Sequence, residues 1–532
     1  MHDSVFDLAI VGSGFGGSLL AMIAKRLGLR VTLLERGRHP RFAIGESASP
    51  LAGILIEQLS DRYGLPRVRP LSAFGTWQRT YPQVVCGLKR GFTYFRHDVG
   101  RRFTAASDRA NQLLVAASPS DEVSDTHWLR SDVDHFLVNE AIALGVDYQD
   151  LVTLERVDWQ PNGDPVLVGA RAGQIFRIRA RFVVDASGPR GFLSRALGID
   201  NRGFEAYPRT QALFSHFTDV ARCEDMEDYD PRSGIRDPGS HAGRAPSSES
   251  RVATPYPIDD AALHHVFDGG WMWVLRFGNG VTSAGVAVED WLADDLKLAE
   301  GQPAWDRFLA RYPSIAAQFA DARPIRSFTW MATLPYRAAQ AAGERWAMLP
   351  SAAAFIDPLF STGIPLTLLG IERLAGLLAE NPRGLTPALY ESPTLADADR
   401  TAQFIAGSYA GFQQFPLFTS YSMFYFAAAS FSEMARRLDS PRTPRGFLCG
   451  DSARFTSALA RLSPATVNPT SRDRYDSEVA AAIADWNVAG LCDPEKRNWY
   501  DIDLDDTIRG AEKLGLTRKH VRDRLGPVAC TF

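Results

Sequence analysis

The residues with the clearest chemistry stand near the start of the chain, in Gly12-Ser13-Gly14-Phe15-Gly16-Gly17. A Gly-x-Gly-x-x-Gly run binds a dinucleotide when a buried strand precedes it and a helix follows. Both neighbours are present. Phe6 to Val11 reads as a buried parallel strand and Ser18 to Leu27 as a helix. After a break at Gly28, Arg30 to Leu34 reads as a second apolar strand. Gly12 allows the tight turn, Gly14 (followed by Phe15) lets a pyrophosphate approach the backbone, and Gly17 lets helix and strand pack closely. The helix N-terminus turns N–H groups and the positive end of its dipole toward the phosphates. Glu35, 18 residues after Gly17 and next to Arg36, is placed to accept from ribose hydroxyls. The pattern specifies an adenine dinucleotide.

A chain of 532 residues is long for one core, so two joined domains or one domain with large insertions is expected. Its 45% hydrophobic and 23% charged residues are ordinary for a soluble globular protein, and a formal charge of −4 gives no reason to expect nucleic acid. Cys86, Cys223, Cys449, Cys492 and Cys530 lack Cys-x-x-Cys spacing, which argues against structural zinc and for a reducing compartment. His264 and His265 are adjacent, point apart, and read as non-metal. The N-terminus does not resemble a signal peptide, so the cytoplasm is the expected location. Thr401 to Ser432 holds no charged residue, but Gln403, Gln413, Gln414 and Pro416 interrupt it. It lacks the near-continuous apolar run of a spanning helix. Its aromatic residues suit buried helices or the wall of an apolar pocket.

Between these landmarks the expected elements are a polar loop from Arg36 to Ser47, a helix from Leu51 to Tyr63 and strand material over 84–96. A helix from Trp128 to Leu144, with Asp132 and Asp134 near its start, precedes a meander of short strands from Val146 to Val168. A second buried strand, Phe176 to Val184, ends in Asp185-Ala186-Ser187-Gly188. Asp219 to Pro257 is rich in Asp, Ser, Arg, Gly and Pro and reads as a long loop. The clearest hairpin follows: Trp271 to Phe277, a Gly278-Asn279-Gly280 turn, and Val281 to Val288. Period two places Trp271 and Trp273 on one face and Met272, Val274 and Arg276 on the other. A third strand, Trp346 to Ala354, leads through Asp357-Pro358-Leu359-Phe360-Ser361-Thr362-Gly363 into a helix from Pro365 to Leu378. Helices are expected over Thr394 to Phe412, Ser420 to Leu438 and Asp505 to Leu514.

Three glycine-terminated nucleotide strands with a β-rich insertion between them resemble the FAD-binding aromatic hydroxylase fold. Shorter pieces resemble the flavin-dependent halogenases. Gly45-Glu46-Ser47-Ala48-Ser49-Pro50 is similar to their loop after the second strand, and Lys89 in Lys89-Arg90-Gly91-Phe92-Thr93-Tyr94 stands where they carry a catalytic lysine. Trp271-x-Trp273 matches the front of their Trp-x-Trp-x-Ile-Pro signature. Asp357 to Gly363 matches the turn that touches the flavin and cradles halide. On spacing alone, Lys89 reads as a solvated strand-end lysine beside Arg90.

The resemblance implies an α/β fold. A Rossmann-like FAD-binding domain over 1–385 would carry an interleaved β-sheet substrate module (about 75–110 and 205–335), and a mainly helical C-terminal region over 386–532 would close the active site. It implies FAD as cofactor, held by Gly12, Gly14, Phe15, Gly17, Glu35, Arg36, Ser47, Asp185, Asp357 and Gly363. Reduced FAD, supplied by a separate flavin reductase, would react with oxygen and with chloride or bromide held at Thr362 and Gly363. Lys89 would hydrogen-bond or carry the halogen, a role that asks for a partly desolvated amine. Trp271, Trp273, Phe360 and Phe424 would line the pocket of an aromatic substrate, free or carrier-bound. Phe360 stands where the tryptophan-acting branch has a glutamate, which resembles the phenol- and pyrrole-acting branch. Two departures keep other readings open. Leu275-Arg276 replaces Ile-Pro, and Pro350-Ser351 stands where flavoproteins of this fold end the third strand in Gly-Asp. An FAD-dependent monooxygenase or dehydrogenase without halogenation, and a non-catalytic flavin-binding protein, are the alternatives.

Overall fold

Phe6–Val11 and Val31–Leu34 are nearly continuous apolar runs, and such runs suit parallel strands covered on both faces. The structure, a computed structural model, describes residues 5–159, 163–230, 254–381, 385–467 and 471–529. The chain divides into two compact units, each built from three separate stretches. The first comprises residues 1–85, 128–207 and 335–403; the second comprises 86–127, 208–334 and 404–532.

In the first unit Phe6–Val11 lies between Gln174–Asp185 and Val31–Leu34, all parallel, with Leu8 opposite Phe182 and Ile10 opposite Leu33. Trp346–Met348 extends the sheet beyond Gln174–Asp185, and Asp147–Gln149 extends it beyond Val31–Leu34. Asp147–Gln149 is therefore a strand of the nucleotide sheet, whereas Val152–Asp158 and Val166–Arg171 form the antiparallel meander. The third strand stops at Met348, short of the expected Ala354, because Pro350 opens a one-turn helix, Pro350–Ala353. Proline cannot donate to a strand ladder but fits a first helical turn. Its ring lies where a Cβ on Gly370 of helix Gly363–Glu380 would be 2.3 Å away. Helix Pro387–Gly411 begins before the expected Thr394 and contains Pro393.

The second unit is organised on a nine-stranded sheet in which Gly91–Arg96, Ala262–Phe267, Gly270–Arg276, Thr282–Glu289 and Thr210–Thr218 are successive neighbours. One face of this sheet packs Phe95, Leu263, Met272 and Val274 against Trp305, Phe308 and Ile315 of the following helices. The opposite face carries Trp271 and Trp273, so the period-two expectation holds and both faces are buried. Arg276, the charge on the Met272 face, is matched by Asp259 at 2.9 Å and donates to the carbonyls of Val220 and Ala221. A separate two-stranded ribbon pairs Cys86–Lys89 with Asp125–Trp128. Helix Phe415–Arg437 buries its aromatic residues, and Trp499–Tyr500 in the tail adds a parallel strand beside Gln112–Ala116. Of the expected loop at 219–257, residues 223–225 and 227–229 form short 3-10 turns, while 231–253 lie outside the described residues.

Two glycines separate packing from propensity. A methyl on Gly17 would sit 2.0 Å from the Gly12 carbonyl oxygen. Gly17→Ala is therefore expected to cost about 1–3 kcal/mol and lower the melting temperature. Gly376 lies inside a helix with open space where its Cβ would be, so Gly376→Ala should stabilise by about 0.5–1 kcal/mol. Thermal unfolding of both variants checks the pair.

Candidate functional site

The nucleotide cradle is built at the turn between the first strand and helix Phe15–Arg26. Gly12 adopts φ +100°, which favours glycine, and Gly14 sits extended at the helix N-terminus. Guanidinium nitrogens of Arg130 and Arg41 lie 3.4 and 4.0 Å from the position of a Cβ on Gly14. Arg130 is a fork to Asp134 at 2.9 Å through two nitrogens and also donates to the carbonyls of Ile44 and Gly45. Asp134 in turn accepts from Phe15 N–H at 3.1 Å. Glu35 is 4% exposed and accepts from Ser13 N–H, Ser13 Oγ, Gly37 N–H and Arg41. Burial works to raise its carboxyl, but Arg41 and the hydrogen bonds from Gly37 and Ser13 prevail and hold it down to about 2. A bare backbone turn, two guanidiniums and a fixed carboxylate together fit a pyrophosphate and its ribose.

Other residues assigned from the sequence are placed differently. Arg36 is exposed. Asp185 is fully buried, and its oxygens accept from Ser187 N–H, Ser187 Oγ and Leu193 N–H, closing the turn after its own strand. Asp357 accepts from Leu359 N–H at 2.9 Å. Phe360 and Ser361 then adopt φ +63° and +55°, a conformation that costs energy for residues other than glycine and is kept only where the surroundings enforce it. Ser361 Oγ donates to Ser47 Oγ at 2.9 Å, tying this turn to the Gly45–Pro50 loop. Thr362 is buried, and a Cβ on Gly363 would meet nothing within 4 Å, so open space faces the start of helix Gly363–Glu380.

Lys89 is wholly buried in the second unit, not solvated at a strand end. Alternation turns Arg90 the other way, to Asp121 and the carbonyl of Pro119. Lys89 Nζ stands 3.9 Å over the Phe92 ring. Burial pushes its ammonium down to about 7, opposed by the charge of Asp125, and burial pushes Asp125 up to about 8, opposed by Lys89. Burial thus favours the neutral form of both groups, amine and carboxylic acid. His127, two residues after Asp125 and on the same ribbon face, lies with its Cβ 3.3 Å from where Gly87 would carry one. Burial, then Lys89, brings its imidazole down to about 3. His264 stacks on Tyr94 at 4.3 Å, holds the carbonyl of Thr93 through Nδ1 at 3.0 Å, and is likewise brought down to about 3 by burial. Glu433 and Arg437 of helix Phe415–Arg437 act on Asp125 from a further side.

The aromatic wall follows from helix Phe415–Arg437. Phe418 packs on Tyr94 at 5.4 Å, and Tyr425 and Phe426 pack on Phe92 at 5.8 and 5.4 Å. Trp271 adjoins His264 at 5.3 Å and Trp273 at 5.7 Å. Phe424 instead packs on Tyr421 and Phe455, among the C-terminal helices. Sequence reasoning missed Arg41, Arg130, Asp125 and His127. Asp134 stood out only as an acid near a helix start, and His264 only as one of a pair. Its neighbour His265 faces the opposite side of the sheet, bonded to His97 and Gln318.

The model of an NAD(P)-binding Rossmann-like domain matches residues 10–51. The chain is 28% identical over 509 residues to monodechloroaminopyrrolnitrin halogenase PrnC of Pseudomonas fluorescens, covering 90% of this chain and 84% of that one. It is 28% identical over 432 residues to tetracycline 7-halogenase of Kitasatospora aureofaciens, covering 79% and 72%. In fold it is similar to halogenase PltM, solved with phloroglucinol and FAD, at a TM-score of 0.75 and 23% identity over 92% of this chain and 99% of that one.

The buried amine carries a stability signature. An unfolded lysine titrates at 10.5, and this one at about 7. Below pH 7 the fold therefore bears the whole cost of a buried ammonium. From 7 to 10.5 the unfolded chain binds the extra proton, so the Lys89 contribution to stability rises with pH, opposed up to about 8 by Asp125, whose raised pKa acts with the reverse sign. Lys89→Met should raise the melting temperature by more at pH 6 than at pH 9, measured by thermal unfolding at both.

Proposed function

We propose that the chain, 28% identical to two named halogenases, is a flavin-dependent halogenase that halogenates a phenol- or pyrrole-like ring with chloride or bromide, guided by Lys89. It is an oxidoreductase with FAD as cofactor. Reduced FAD and oxygen supply the oxidising equivalents that turn halide and a proton into hypohalous acid, releasing FAD and water. A separate flavin reductase supplies the reduced flavin.

Among this chain's residues, Gly12, Gly14, Phe15 and Gly17 form the pyrophosphate turn, with Arg130 and Arg41 beside it and Glu35 for the ribose. Ser47, Asp357 and Ser361 shape the flavin-facing turn. Backbone N–H groups at Thr362 and Gly363 open an 18-residue helix whose N-terminus favours a halide. Lys89 either takes the halogen from hypohalous acid as a neutral amine, releasing water, or donates a hydrogen bond to the acid; the first needs the lone pair that an ammonium lacks. Trp271, Trp273, Phe92 and Phe418 keep water from it. Cytoplasmic location fits the absence of any disulfide among the described residues. One helical stretch, Leu359–Glu380, is long and apolar enough to cross a bilayer, but most of it is buried within the protein.

The observation that carries this reading is a wholly buried lysine of lowered pKa among aromatic rings. Lys89→Ala should lower halide incorporation into a phenol or pyrrole panel by about 100-fold or more, the scale of a positioned acid or base. Mass spectrometry of the products checks this, with FAD affinity measured alongside. Undiminished incorporation would exclude the role given to Lys89, and hydroxylated products in place of halogenated ones would favour a monooxygenase.

A further inference from the structure

Three buried polar atoms have no hydrogen-bond partner among the described residues: Asp125 Oδ2 and His127 Nδ1, whose groups feel the charge of Lys89, and Trp271 Nε1, whose ring adjoins His264. Leaving such atoms unmade costs about 1–3 kcal/mol each, so native proteins keep few of them and those few ask for a function. The proton on His127 can be placed by elimination. Burial keeps the imidazole neutral, so one ring nitrogen carries hydrogen. Nε2 faces the carbonyl oxygen of Ala261 at 3.3 Å, and a carbonyl only accepts. Nε2 therefore donates, and Nδ1 is left with a bare lone pair. Trp271 Nε1 is a donor only. The second unit thus offers a buried acceptor on His127, which feels the charge of His264, and a buried donor on Trp271, whose ring adjoins His264 at 5.3 Å.

We infer that His127 selects hydroxyl-bearing aromatic substrates: its Nδ1 accepts the hydrogen bond of a ring O–H, and Trp271 Nε1–H donates to an oxygen of the same molecule. This rests on the reading of Lys89 given above and adds the substrate class and the residue that reads it. A hydroxyl can supply both a donor and an acceptor, a pyrrole N–H only the donor, and an aryl ether only the acceptor. Donation from O–H to an imidazole also pushes electron density into the ring, which favours attack by an electrophile.

The test is calorimetric titration of the protein, with and without FAD, using resorcinol, 1,3-dimethoxybenzene and pyrrole as probes. The wild type is expected to bind resorcinol about tenfold more tightly than its dimethyl ether, the effect of one buried hydrogen bond, and more tightly than pyrrole. In His127→Phe that preference should fall to about onefold with ether affinity kept, and His127→Gln, which retains an acceptor, should restore part of it. Equal binding of resorcinol and the ether by the wild type would overturn the inference, and so would an unchanged preference in His127→Phe. If the variants fail to fold, the wild-type comparison still decides. Because these are binding readouts, they stand apart from halogenation: loss of the His127 preference effect with Lys89→Ala still inactive would refute this inference alone, whereas an active Lys89→Ala would refute the underlying reading alone.

Discussion

A lysine amine buried wholly in the protein interior is the constraint on which the second unit turns. Moving an ammonium from water into a protein interior costs several kcal/mol even after relaxation. Burial relieves this by lowering the pKa of Lys89, so that its neutral amine becomes accessible, while it raises that of Asp125. Arginine could not do the same, since its guanidinium stays charged. Only six of the 58 basic residues of this chain are lysines, and one of them stands here. The Phe92 ring, the two neutral histidines and the aromatic face of helix Phe415–Arg437 exclude the water that would otherwise recharge the amine.

Placing that amine needs close backbone packing. A Cβ on Gly87 would lie 1.8 Å from the carbonyl oxygen of Arg276, so the ribbon bearing Lys89 lies directly on the end of the tryptophan hairpin. The hairpin turn adds a bond, Gly278 N–H to the Cys86 carbonyl at 3.0 Å. Arg276, which breaks the Ile-Pro half of the family signature, has a local use: its side chain ties Asp259 and two loop carbonyls to the same strand end. The first unit uses charge instead of its removal. Glu35 stays ionised because Arg41 and three hydrogen bonds outweigh its burial.

What was legible in the sequence is what depends on near neighbours. The glycine turn, its flanking strands and the 271–288 hairpin are local patterns, and the chain folds as they direct. The burial of Lys89 is not local: Asp125, His127 and His264 lie far along the chain, and beside Arg90 the lysine looks solvated. Only family resemblance singled it out. Arg130 and Asp134 were hidden because an i, i+4 pair on a helix looks like surface chemistry. Asp185 looked available to a ligand because its hydrogen-bond donors, Ser187 and Leu193, come only with the folded turn. The third strand was overextended because Ala347-Met348-Leu349 is apolar in either state and Pro350 settles the matter.

With so few lysines, the protonation state of Lys89 can be read directly. Lysine labelled with carbon-13 at Cε gives a small set of resonances, and the one lost in Lys89→Met belongs to Lys89. A titration midpoint near pH 7 for that resonance is the predicted result. A resonance that keeps its ammonium position up to pH 10 would contradict the account, since a permanently charged lysine has no lone pair with which to take up an electrophilic halogen.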